Sequence, residues 1–176
     1  MAKDEYPQWM TMPVVTESAV GTYTTESKQT PVVRESSKVM EILAVEWELD
    51  DASHVSIGAA SGDEKFQSRA QLTTDEKADI GSMATKGLID KFGKETHSQF
   101  AEADETGGAG FSSVDTVLHN FAQGGKGFLT AAETFHLGVK GNSGENAVIG
   151  VSCRILYRLV KVSAEELLGL LTSLVG

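Results

Sequence analysis

The stretch Ala147–Val162, AVIGVSCRILYRLVKV, decides the fold class of this chain. Ile149, Val151, Cys153, Ile155, Tyr157 and Leu159 alternate onto one face. Val148, Gly150, Ser152, Arg154, Leu156, Arg158, Val160 and Val162 take the other. At about 3.3 Å per residue such a strand spans on the order of 50 Å, so a bulge near Gly150 or a bend is expected. Directly after it, Ser163-Ala164-Glu165-Glu166 has the pattern of a capping box, with both glutamates at the positive end of the helix dipole. Leu167, Leu170, Leu171 and Leu174 then form one stripe, widened by Leu168 and Val175. A helix this short, with Gly169 inside it, is unstable alone and must dock on something.

Working back from this end, strand patterns recur. Thr134–Lys140, Phe128–Ala131 and Val114–Phe121 read as strands, separated by the turns Gln123–Gly127 and Gly141–Asn146. Val39–Leu49 places Val39, Leu43, Val45, Trp47 and Leu49 on one face, with Glu41 as the exception. A short strand His54–Ala60 follows the turn at Asp50-Asp51. Residues 61–112 read as a long connection. Within it Thr73–Glu76 fits a helix start, and Ile80, Met83, Ala84, Gly87, Leu88 and Phe92 recur at roughly helical spacing, which predicts a short helix. Asp104–Gly110 reads as an acidic loop. Many strands between Gly and Asn turns indicate an all-β antiparallel sandwich or barrel. The expected organisation is an extended N-terminal arm at 1–37 with one or two edge strands, a β-sandwich at 38–162 and a helical tail at 163–176.

The composition narrows the function. The 176 residues carry a formal net charge of -10, so bulk electrostatic binding to a phosphate backbone is disfavoured. With a single cysteine, Cys153, no intrachain disulfide can form. No basic n-region followed by an apolar run opens the chain, and no stretch approaches the ~18 apolar residues of a spanning helix. The expectation is a soluble or at most peripheral protein.

Motifs for chemistry fail on spacing. Gly124-Gly125-Lys126-Gly127 lacks the full phosphate-loop spacing, and Phe128, not Ser or Thr, stands two places after the lysine. His54, His97, His119 and His136 form no i, i+2 or i, i+4 pair; His119 and His136 fall on adjacent expected strands, a poor start for a metal site. Asp104 and Glu105 lack the alternation of a calcium loop. Cys153 has no His or Asn partner in a recognisable arrangement and reads as a small core residue. No enzyme, cofactor or metal is expected.

Contact residues stand out instead. Tyr6, Trp9, Met10 and Met12 cluster near the start and pack either on their own domain or on a neighbouring subunit. Arg154 and Arg158 share a face, suited to local salt bridges with the glutamates of Val39–Leu49 or to an acidic surface on a neighbour.

Lys38–Trp47 (KVMEILAVEW), Asn120–Ala131 (NFAQGGKGFLTA) and Arg154–Gly169 (RILYRLVKVSAEELLG) together resemble coat proteins of small icosahedral viruses. The resemblance covers residues ~38–60 and ~114–172. It implies a single jelly roll of two four-stranded antiparallel sheets, and a capsid subunit made in the host cytoplasm that tiles a virion shell with copies of itself and other coat proteins. Residues 1–38 hold four basic and five acidic residues, so this arm cannot neutralise a genome. A partner protein, an internal membrane or an arm linking subunits would each resolve that. The alternative readings are a carbohydrate- or receptor-binding β-sandwich module, which calls for exposed aromatics in a row, and a cupin-like metal enzyme, which calls for converging histidines.

Overall fold

The computed structural model describes residues 6–33, 37–50, 54–55, 63–99, 110–111, 114–122, 125–141 and 149–175. Within them the chain forms β1 (Gln8–Thr11), β2 (Val15–Thr16), β3 (Thr24–Gln29), β4 (Lys38–Asp50), β5 (His54–Val55), β6 (Asp63–Thr73) and β7 (Leu88–Gln99). There follow β8 (Gly110–Phe111), β9 (Val114–Asn120), β10 (Phe128–Thr130), β11 (Thr134–Lys140), β12 (Gly150–Lys161) and the helix α1 (Ala164–Val175). The expected acidic loop over 104–109, residues 56–60 of the second expected strand and residues 147–148 of the last strand lie outside the described residues.

Two antiparallel sheets face each other across the core. In the first, β12 and β4 lie at the centre; β1 and β2 pair with the free side of β12, and β9 and β10 with the free side of β4. The second has the order β3-β11-β6-β7. β5 and β8 form a separate two-stranded ribbon. Pro13 separates β1 from β2, since it has no N–H to give to the ladder. Met12 N still donates to Cys153 O at 2.9 Å, and Glu17 N to Ile149 O at 3.0 Å. The N-terminal residues are thus edge strands of both sheets.

The core explains the periodicity of β12. Val151, Cys153, Ile155 and Tyr157 are buried against Val45, Trp47 and Leu49 of β4 and Leu72, Phe135, Leu137 and Val139 of the second sheet. Each fully buried aliphatic or aromatic side chain contributes about 1.5–3 kcal/mol of transfer free energy.

The irregularity in the first sheet lies on β4, not near Gly150. Ala44 pairs with Leu156 and Ile42 with Tyr157, so Leu43 is an extra residue. The bulge falls where the other neighbour of β4 changes from β9, ending at Ala44↔Asn120, to β10, starting at Ile42↔Phe128. Leu43 O accepts the Phe121 N–H at 2.8 Å as the chain leaves the sheet. Before the bulge Met40 and Ile42 point inward; after it Val45, Trp47 and Leu49 do. Glu41 therefore sits on the outer face with Glu46 and Glu48, and ceases to be an exception.

Residues 61–112 depart most from expectation. β6 and β7 form a long hairpin where a connection with a short helix was expected. Residues 74–87 are its turn: Thr74 N donates to Gly87 O at 2.8 Å, and Gly87 has φ 73°. A Cβ there would lie 2.1 Å from Asp75 Oδ1. The turn folds back over the outer face of the second sheet onto the fully buried Gln71. Gln71 Oε1 accepts from Gly81 N at 2.8 Å, and its Nε2 donates to Asp79 O at 3.0 Å and to the Tyr23 hydroxyl at 2.9 Å. Of the residues at helical spacing, Ile80, Met83, Ala84 and Gly87 fall in this turn, with Met83 80% exposed, and Leu88 and Phe92 lie on β7. Leu72 pairs with Asp90 and Thr73 with Leu88, which makes Ile89 a second bulge residue. Across this bulge Ile89 and Phe92, three apart, are both buried in the core.

Candidate subunit-contact and ligand surfaces

Two surfaces and one internal cluster hold most of the residues singled out in the sequence. The first is the outer face of the sheet around β12. Paired positions form rows across it: Trp9–Leu156–Ala44–Asn120, then Thr11–Arg154–Glu46–Leu118, then Ser152–Glu48–Thr116. Arg154 donates from Nε to Glu46 Oε2, and its guanidinium lies 4.7 Å from the centre of the Trp9 ring. The Arg154 hydrogen bond holds Glu46 below its ordinary carboxylate range. Arg158 Nε donates to Glu41 Oε2 at 2.6 Å, and Gly127 N donates to Glu41 Oε1 at 2.8 Å. Burial raises the Glu41 pKa, but these two hydrogen bonds and the charges of Arg158 and Lys126 outweigh it and leave Glu41 below its ordinary value. Both arginines thus engage the glutamates of β4, the local pairing anticipated from their spacing.

The N-terminal cluster divides by strand parity. Met10 and Met12 point inward and are buried in the chain's own core, so they present no surface to a second copy. Trp9 is 46% exposed, and Tyr6, just before β1, is 81% exposed.

The second surface is α1 and the strand beneath it. Glu166 N donates to Ser163 Oγ at 3.2 Å and Ser163 N to Glu166 Oε2 at 2.9 Å, so the capping box forms. These bonds also hold Glu166 below the usual carboxylate value. Leu167, Leu170 and Leu171 are half-buried, with Leu170 closing a cavity of about 190 Å³ over Leu88, Phe128, Leu129 and Thr130. Leu168, at the margin of that stripe, is 66% exposed. No residue from Ala164 to Thr172 is fully buried. Leu174 lies in the last turn of α1, and its side chain lies outside the described residues. Phe128 and Leu129 add exposed apolar area beside the helix. The sequence reading missed these two, although their place on a three-residue strand next to a glycine turn marks them as edge residues.

The third cluster is polar and internal. The Asp90 carboxylate accepts the Trp47 indole N–H at 2.6 Å, and its oxygens lie 2.9 and 2.7 Å from His119 Nδ1. Asp90 belongs to β7 and the other two to β9 and β4, so the cluster ties the two sheets together. The nearby carboxylate was invisible in the sequence because 29 residues separate Asp90 from His119. His136 is elsewhere: it lies on β11 of the opposite sheet, so the adjacency expected for His119 and His136 does not occur. Burial, with the Asp90 charge adding, pushes the Cys153 thiol well above its ordinary pKa, which leaves it protonated and unreactive at neutral pH. Among the described residues, no three His, Cys, Asp or Glu side chains converge as metal ligands, and no helix is long and apolar enough to cross a membrane.

No protein-family model matches the chain, and no curated protein matches it in sequence.

Proposed function

We propose that this chain is a structural subunit that self-assembles into a closed shell, as the coat proteins of small icosahedral viruses do, and that its sandwich is a single jelly roll. The strand order supports the jelly roll. With β1 and β2 taken as one strand, β9 and β10 as another, and the β5–β8 ribbon set aside, eight strands remain. The first pairs with the eighth, the second with the seventh, the third with the sixth and the fourth with the fifth. That is the order of one long hairpin rolled into two sheets.

The observation that carries assembly is α1. A leucine-rich helix half-docked on its own domain, with Leu168 outward and Phe128 and Leu129 beside it, leaves apolar surface that a second copy of the chain covers. A stable contact of this kind buries roughly 1,200–2,000 Å² in total. The role is structural rather than catalytic, and the subunit resides in the virion after synthesis in the host cytoplasm. Its partners are other copies and other coat proteins. The four basic and five acidic residues of 1–38 argue against genome neutralisation by the arm.

Sedimentation velocity and negative-stain microscopy of the full chain test this reading. Closed particles or large oligomers are expected, and deletion of 164–176 is expected to leave a soluble folded domain that assembles poorly. A species that stays monomeric at high concentration, alone and with partner coat proteins, overturns it.

A further inference from the structure

We propose that the outer face of the sheet around β12 carries a binding site for a neutral saccharide, in the trough lined by Thr11, Glu46, Glu48, Thr116, Ser152 and Arg154. The site is independent of the shell reading and lies on residues that the α1 contact does not use.

The trough crosses four strands. β1 supplies Thr11, β12 supplies Ser152 and Arg154, β4 supplies Glu46 and Glu48, and β9 supplies Thr116. It therefore rests on backbone ladders and not on loops, and its groups are held in register. The adjacent row of the sheet, Trp9, Leu156 and Ala44, borders the trough without lining it. Within the trough stand the Ser152 and Thr116 hydroxyls with the Glu48 carboxylate between them; Ser152 Oγ donates to Glu48 Oε2 at 3.4 Å. Arg154 lies in the row between these two. Its position is fixed twice, by the Trp9 ring and by Glu46, which spend one N–H and leave the guanidinium's other donors for a ligand.

This layout matches the chemistry of a pyranose ring. A sugar has one face of C–H groups, which packs on an indole, and a rim of hydroxyls that both donate and accept. Carboxylates accept from such hydroxyls, a guanidinium donates to them, and Ser and Thr do both. Trp9 is 46% exposed with the Arg154 guanidinium over its ring. Two carboxylates against one guanidinium leave the trough net negative, which excludes acidic sugars such as sialosides. The sequence reading asked for aromatics in a row; here one aromatic and two rows of polar side chains take that place.

Saturation-transfer NMR of the full chain with glucose, galactose, mannose and N-acetylglucosamine at millimolar concentration tests the proposal, with sialyllactose and lysine amide as competing probes. Transfer to the ring C–H protons of at least one neutral sugar is expected, insensitive to salt, and absent for sialyllactose. Trp9→Ala and, separately, the exposed Glu48→Gln should each weaken binding about tenfold. Glu48→Gln keeps the test valid if Trp9→Ala fails to fold. Absence of transfer to all four sugars overturns the proposal. So does transfer unchanged in Glu48→Gln, or binding confined to lysine amide and abolished by salt, which would make the trough a cation site.

Discussion

At the scale of single residues, Glu41 is the most consequential ionisable group. Its side chain is buried, and its pairing with Arg158 and Gly127 holds its pKa below the ordinary 4.5. A carboxylate with a lowered native pKa stabilises the fold fully above its unfolded value and loses that contribution as the pH falls through the native one. Stability should therefore decline as the pH drops below about 4.5, with Glu46, Asp79 and Glu166 shifted the same way. Arg158→Ala leaves a buried carboxylate without its cation and should cost about 3 kcal/mol near neutral pH. The acid-side slope should shrink, because burial then acts on Glu41 against fewer opposing contacts. Urea unfolding of both proteins between pH 3 and 7 measures both effects; equal stability near neutrality would show that Arg158 contributes only surface charge. Arg154→Ala should matter much less for stability, since Glu46 and Arg154 meet at the solvent-facing surface.

At the scale of elements, two bulges governed what could be read. A strand's faces are legible because side chains alternate with period two, and β12, Val114–Phe121 and Thr134–Lys140 showed that alternation plainly. One extra residue changes the local spacing of inward positions from two to three, which is also a helical spacing. At Leu43 this made Glu41 look misplaced; at Ile89 it puts Ile89 and Phe92, three apart, into the same core. The local sequence does not reveal which reading holds, because the bulge is defined by the partner strand. A deletion tests the assignment on β4. Removing Leu43 should leave a regular alternation, with Met40, Ile42, Val45, Trp47 and Leu49 all still inward. The cost is the bond from Phe121 N, on the order of 1–2 kcal/mol. Removing Glu48 should turn Trp47 outward and abolish folding. Thermal unfolding followed by near-UV circular dichroism separates the two; similar losses would mean that β4 has no bulge at Leu43.

At the scale of the whole molecule, the proposed function turns on where apolar surface remains. Leu168→Asp places a charge on the exposed side of α1 without touching the half-buried stripe of Leu167, Leu170 and Leu171. Assembly should fall by at least about tenfold, as for the loss of a central interface residue, while the melting temperature of the monomeric domain stays unchanged. Light scattering together with calorimetry checks this. A drop in melting temperature with intact assembly would place Leu168 in the fold and not in the contact.

By itself the sequence determined the β class, the long final strand and the capped helix after it. All of these follow from short-range periodicity or capping, where neighbours in the chain are also neighbours in space. Only the tertiary structure decided that Met10 and Met12 belong to the core, that β6 and β7 form a hairpin, and that Asp90 meets His119 and Trp47. It also decided that Thr11, Arg154, Glu46 and Thr116 line one trough. Those depend on register between strands far apart in sequence, fixed by which hydrophobic faces close on one another.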